Sequence, residues 1–307
     1  MLASLSNSSL KQYDTCFKKW FLFCNNNNIN LYENSASTAI KFLTELFESG
    51  AQYGTLNSCR SALSLILGKN ISDDDCIKRF FKGIFRLRPP QPKYNCTWDV
   101  SIVLNSLATW YPNESLDLEN ISKKLATLLA LTTAHRVQTL SKINISNIDL
   151  FTSEIRIKIP DLLKTSRPGF IQPELILPYF LEKPEICPVN TLICYLNITK
   201  DLRKSDILFI SFKKPYKSVG SQTISRWIKS TLCTCGIDVN IFTAHSTRHA
   251  STSKAHKIGV NLDLIRKTAG WNNYKTFGKF YNRNISEIVN QDDVFARSIL
   301  SNVYVGN

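Results

Sequence analysis

Apolar residues recur at helical spacing through the first ninety positions. Leu10, Tyr13, Phe17, Trp20, Phe21 and Cys24 mark one face of a helix that the polar run Asn25 to Asn28 ends. Ser37 or Thr38 is the predicted cap of a second helix carrying Ile40, Leu43, Leu46 and Phe47, with its stop near Gly50. A third helix is predicted from about Thr55 to Leu67, before Gly68. A fourth runs from Asp74 to Phe85, its acids at the end where the helix dipole favours them. Four short helices make a small bundle. In Arg88-Pro89-Pro90-Gln91-Pro92-Lys93-Tyr94, closely spaced prolines forbid a continuing helix and favour extended chain. The expected organisation is therefore a helical domain over 1–87, a semi-rigid linker over 88–94 and a larger domain over 95–307.

The larger domain opens with helices near Trp98 to Tyr111 and from Ile121 to about Leu131. Glu154-Ile155-Arg156-Ile157-Lys158-Ile159 then alternates with period two, the pattern of a half-buried strand. A turn-rich stretch, Lys164 to Gly169, separates it from a returning strand at Ile171 to Leu177. Helices resume at Asn190 to Tyr195, Ser221 to Leu232, about Ser246 to Ile258, Leu262 to Thr268 and Tyr274 to Tyr281. The last segment carries an apolar face of Ile285, Ile288, Val289, Phe295, Ile299 and Leu300. The expected fold class is mainly α with a small β-sheet. Trp20, Trp98, Trp110 and Trp227 are read as core.

Composition narrows the class. The 307 residues are 43% hydrophobic and 20% charged, which fits globular domains. No stretch nears the ~20 apolar residues needed to span a bilayer, and the N-terminus lacks the pattern of a secretory signal. Nine cysteines without small-scaffold spacing suit a reducing, intracellular compartment. The net charge of +14 divides into +5 up to Tyr94 and +9 from Asn95 onward, so a polyanion running past both parts would explain it as well as a solubility charge.

His245-Ser246-Thr247-Arg248-His249 is the densest polar cluster. His245 and His249 have a zinc-ligand spacing, with Cys233 and Cys235 upstream, but the cysteine pair is too narrow and Arg248 would place a permanent cation in the site. No metal or other cofactor is expected. Arg248 is better suited to clamp an anion. In chain order the other candidates are Thr132-Thr133-Ala134-His135-Arg136-Val137-Gln138-Thr139-Leu140, Lys164-Thr165-Ser166-Arg167, Ala269-Gly270-Trp271 and Lys279-Phe280-Tyr281-Asn282-Arg283.

That order of Arg, Lys, His-x-x-Arg, Trp and Tyr resembles the tyrosine recombinase (phage integrase) family across nearly the whole chain. The phrases look most like recombinases of eukaryotic DIRS-like and crypton-like mobile elements. The resemblance implies a SAM-like core-binding DNA-binding bundle over 1–87 and a catalytic domain over 95–307 with a tail at 282–307. It implies a DNA recombinase that cleaves and rejoins strands through a 3′-phosphotyrosine, for integration or excision, on double-stranded DNA. A homotetramer on two sites is implied, with the tail packing on a neighbouring protomer and, for a eukaryotic element, a nuclear location. The implied nucleophile is Tyr281. Arg136 and Arg248 would hold the non-bridging oxygens, Lys164 would protonate the leaving 5′ oxygen, and His245 and Trp271 would assist at the phosphate. Lys158 competes with Lys164 and Tyr274 with Tyr281. His135, His249 and His256 are read as structural or DNA-facing.

Two positions depart from the family pattern. Thr139 stands where an acid is common, and ten positions rather than nine separate Trp271 from Tyr281. Two other functions fit parts of the chain: a catalytically silent DNA-binding descendant, and a type IB-like nicking-closing topoisomerase. The complete residue set argues against the first, and the separate bundle with its tail argues against the second.

Overall fold

The computed structural model describes residues 4–68, 70–163, 166, 169, 172–271 and 284–285. They fall into two compact units, Met1–Lys93 and Tyr94–Asn307.

The first unit is a helical bundle of α1 (Asn7–Asn26), α2 (Ala36–Glu48), α3 (Tyr53–Ile66), the single turn α4 (Asn70–Asp73) and α5 (Asp75–Leu87). Side-chain oxygens of Ser6, Ser35 and Asp74 accept from otherwise unbonded amides at the starts of α1, α2 and α5. The cap of α2 is thus Ser35, two residues before the predicted Ser37, and α4 is a helix that its polar residues do not announce. On α1 the buried stripe is Cys16, Trp20, Phe23 and Cys24, so Phe21 turns away and is 57% exposed, contrary to expectation. Trp20 packs edge-on to Phe42 and donates its indole N–H to the Leu31 carbonyl at 3.0 Å, closing the α1–α2 turn. Arg88 stacks on Phe47 and donates to the Phe47 and Ala51 carbonyls.

The second unit is built around α7 (Leu118–Thr133), which packs against α9 (Pro188–Thr199), α10 (Ser221–Thr234) and α11 (Ser246–Lys257). Before α7 come β1 (Cys96–Thr97) and α6 (Val100–Ala108); after it come α8 (Val137–Leu140) and an antiparallel sheet of β2 (Ile148–Leu150), β3 (Glu154–Lys158) and β4 (Glu174–Pro178). Ile155 opposite Leu177 and Ile157 opposite Leu175 supply the buried face of β3 and β4. Two pairings went unpredicted: β2, whose three residues are too few to show alternation, and the parallel pair of β1 with β5 (Asn284–Ile285). α12 (Leu262–Thr268) follows α11. Trp98 and Trp227 are core residues as expected, whereas Trp110 is only half-buried. The fold class is as read from the sequence, mainly α with a small sheet. Among the described residues no helix is long and apolar enough to cross a membrane.

Lys124 lies within this core, fully buried on α7. Its ammonium donates to the Trp110 carbonyl and to Asn113 Oδ1, the latter at 2.9 Å. Burial penalises the charged form and lowers its pKa to about 8. An unfolded lysine titrates near ~10.4, so between about pH 8 and 10.4 only the unfolded chain holds this proton, and stability rises with pH across that window. We expect the stability of the wild type relative to Lys124→Met to improve by about 3 kcal/mol over the window, measured by urea unfolding at each end. A difference independent of pH would show that the buried ammonium keeps its ordinary proton affinity.

Candidate active site

The end of α7 sets the site. Ala134 closes the helix in the left-handed region (φ 50°), which turns the chain sharply before His135 and Arg136. Arg136 then stands at the start of α8, where its carbonyl accepts from the Thr139 amide at 2.8 Å. Thr139 itself is buried.

α11 arrives from a distant part of the chain and is polar in sequence, yet Ser246, Thr247, Arg248, His249, Ala250, Thr252 and Ser253 are buried. Polar groups tolerate this only when bonded. The hydroxyls of Thr247 and Thr252 bond backwards to the Ala244 and Arg248 carbonyls, and Trp98 donates to Ser246 Oγ at 2.9 Å. The Tyr94 hydroxyl lies 2.8 Å from Thr243 Oγ1, and the Tyr94 ring meets His249 edge-on. Lys254 and Asp99 pair at 3.1 Å. Burial raises the Asp99 pKa, but bonds from Ser101 and Lys254 outweigh it and hold the carboxyl below its usual value. The segment just past the proline run therefore braces α11 at both its start and its last turn. His245 is exposed at that start, its ring 5.5 Å from His249.

Arg248 is 1% exposed. One terminal nitrogen donates to the Ala134 carbonyl and the other to the Ala269 carbonyl at 3.1 Å, while the guanidinium lies over the Trp271 ring at 5.0 Å. Ala134, Ile265, Ala269 and Trp271 form a small apolar cluster around it. Between the chain reversal at Ala134 and the turn at Gly270 sits His135, 6% exposed. Burial, then Arg248, then Arg136 lower its pKa to about 3 against an opposing hydrogen bond to the Thr268 backbone. The imidazole is therefore neutral at physiological pH.

The structure thus brings Arg248 and Trp271 against the chain reversal at Ala134 that leads into His135 and Arg136, with His245 exposed one turn before Arg248. Lys164, Tyr281 and Tyr274 lie outside the described residues. Lys158 is on the exposed face of β3, paired with Asp149 at 2.7 Å; that hydrogen bond raises its pKa. Cys233 is exposed and Cys235 is buried in the apolar core. Among the described residues no group of three or more His, Cys, Asp or Glu could hold a metal ion. A buried guanidinium bonded to the chain reversal that carries a second arginine two residues on is instead suited to an oxyanion. Sequence reading gave His135 only a structural or DNA-facing role and missed the Asp99–Lys254 brace, because a pair 155 positions apart does not stand out in a linear pattern.

The model of the phage integrase family matches residues 111–287, more than half of the chain. Similar folds occur in a lambda integrase tetramer bound to a Holliday junction (15% identity, 89% of this chain and 74% of that one, TM-score 0.54). They occur also in the Tn1549 transposon integrase in complex with circular intermediate DNA (16%, 86% and 84%, 0.52). A third is the XerH site-specific recombinase in a post-cleavage complex with a palindromic difH substrate (15%, 87% and 72%, 0.58). At these identities the likeness is one of fold. No curated protein matches the chain in sequence.

Gly270 has φ +65°, and a Cβ placed there would stand 3.2 Å from His135 Cε1. Gly236 and Gly259 also have positive φ, but a Cβ at either meets nothing within 4 Å. An alanine at Gly236 or Gly259 should cost only backbone strain, about 1 to 2 kcal/mol. Gly270→Ala should lower Tm further, by about 2 to 4 °C for each additional kcal/mol, in thermal unfolding followed by circular dichroism. Equal losses at all three positions would mean that the ring beside Gly270 yields freely.

Proposed function

We propose that this chain, which belongs to the phage integrase family, performs site-specific DNA recombination through a covalent 3′-phosphotyrosine, without a metal ion or cofactor. The bond from Arg248 to the Ala134 carbonyl carries the proposal, since it joins residues 114 positions apart and ties one arginine to the chain reversal that leads into the other, Arg136. In the reaction, the Tyr281 hydroxyl attacks the scissile phosphorus and the bond to the 5′ oxygen breaks. Arg136 and Arg248 stabilise charge on the non-bridging oxygens, which needs donors already in place. Lys164 gives its proton to the departing 5′ oxygen, and His245 accepts or relays the proton of the nucleophile. Trp271 fixes the Arg248 guanidinium from one face. The Lys158–Asp149 pair favours Lys164 over Lys158, because an ion-paired ammonium gives up its proton less readily.

The substrate is duplex DNA, gripped by both units. In the first unit a cleft of about 410 Å³ is lined by Arg60, Lys78, Lys82 and Arg86 with Tyr53, Phe81 and Phe85, cations and rings suited to phosphates and sugars. Four cleavages per exchange call for four protomers on two sites, and the similar lambda integrase was solved as a tetramer bound to a Holliday junction. The segment 282–307 nets −1, poor for DNA, and its apolar residues suit a neighbouring protomer. The resemblance to DIRS-like and crypton-like enzymes, with the fold likeness to a transposon integrase, supports a mobile-element role. A nuclear site of action follows if the element is eukaryotic.

A nicked suicide duplex carrying the target, incubated in EDTA, should yield a covalent protein–DNA adduct seen by denaturing electrophoresis. Tyr281→Phe should abolish it, Tyr274→Phe should keep it, and Arg248→Ala should slow its formation about 100-fold or more. Absence of any adduct on a verified target would remove the enzymatic reading, and an adduct from Tyr281→Phe would move the nucleophile elsewhere. Binding alone should weaken steeply with salt.

A further inference from the structure

His135 lies where the two halves of the arginine site meet. Its backbone follows Ala134, whose carbonyl accepts from Arg248, and its ring lies against Gly270, which follows Ala269, the other acceptor. A hydrogen bond joins it to the Thr268 backbone, and Arg136 is the next residue in the chain. The ring is thus a spacer between the α7–α8 reversal and the α12–Trp271 turn, and the distance it imposes is the gap that the Arg248 guanidinium bridges. We propose that His135 is a positioning residue for strand cleavage, holding the Ala134 and Ala269 carbonyls at the separation that orients Arg248 while its own chain reversal presents Arg136.

The chemistry of the side chain fits this task. A leucine would fill the volume but could not bond Thr268, and a lysine would add a third cation beside two guanidiniums. A buried imidazole stays uncharged there, with its pKa held at about 3 by burial and by Arg248 and Arg136, so it neither repels the arginines nor titrates in the working range.

The inference rests on the proposed cleavage reaction, and wild-type protein reports that reaction separately: if it forms no adduct, the reaction fails first. With adduct formation established, single-turnover cleavage, DNA affinity and Tm are measured for His135→Phe, His135→Asn and His135→Gln. His135→Phe keeps a ring but loses the bond to Thr268. We expect it to bind DNA within about twofold of wild type and to cleave tenfold or more slowly, with the shape of its pH–rate profile unchanged. At least one amide variant, placing a donor near one ring nitrogen, should recover part of the rate. His135→Phe and Gly270→Ala should be non-additive in cleavage rate, because they disturb the same contact. Cleavage by His135→Phe within twofold of wild type would overturn the proposal. So would loss of an inflection from its pH–rate profile, which would make His135 an acid or base. Additive rates with no rescue by either amide would also overturn it, leaving His135 a packing residue.

Discussion

The second unit is organised around one buried positive charge. An unpaired ion in a protein interior costs several kcal/mol, and Arg248 cannot shed its proton to escape that penalty. It is instead bonded to the carbonyls of Ala134 and Ala269, and neither carbonyl belongs to a regular helix interior. Each is released by a chain reversal with positive φ, at Ala134 itself and at Gly270. The left-handed alanine is an uncommon conformation for a residue with a Cβ, and the arginine it serves gives a reason for the strain to persist. Arg136, His135 and Trp271 take their places as consequences of these two reversals.

The same constraint explains what linear pattern could and could not reveal. α5 was visible because Asp74 caps it and Ile77, Phe81 and Ile84 repeat along one face. β3 was visible because Ile155 and Ile157 alternate with Arg156 and Lys158. α11 could be placed as a helix but not as a buried one. Its interior residues are serines, threonines, a histidine and an arginine, and they are stable inside only through partners such as Trp98, Thr243 and Ala134 that lie more than a hundred positions away or across a turn. Hydrophobic periodicity measures transfer to an apolar phase, and a helix held by specific polar contacts has none to show.

The candidate site divides along the same line. Residue types suited to phosphate chemistry could be picked out one at a time, and their order carried the family resemblance. Spatial support could not be seen in this way. Asp99 and Lys254, or Tyr94 and Thr243, are ordinary residues until the fold brings them together. Phe21 and Trp110 erred in the other direction: Phe21 was placed by spacing and Trp110 by its type, while the register of α1 turns Phe21 to solvent and Trp110 packs only partly buried against the core.

Net charge must also be divided by place. Of the basic side chains, Arg248 and Lys124 are buried, and Arg88 and Arg203 spend their donors on backbone carbonyls. These cations spend hydrogen bonds on the protein's own backbone carbonyls. The exposed ones, such as Lys82 and Arg86 on α5, are what a polyanion meets, and only they set the dependence of affinity on salt. The basic side chains therefore form two populations, an exposed one and one tied to the protein's own carbonyls. The first is mobile, solvated and replaceable by any cation nearby; the second is fixed by carbonyl geometry and admits no substitute, because a lysine ammonium cannot reach both acceptors while lying flat on Trp271.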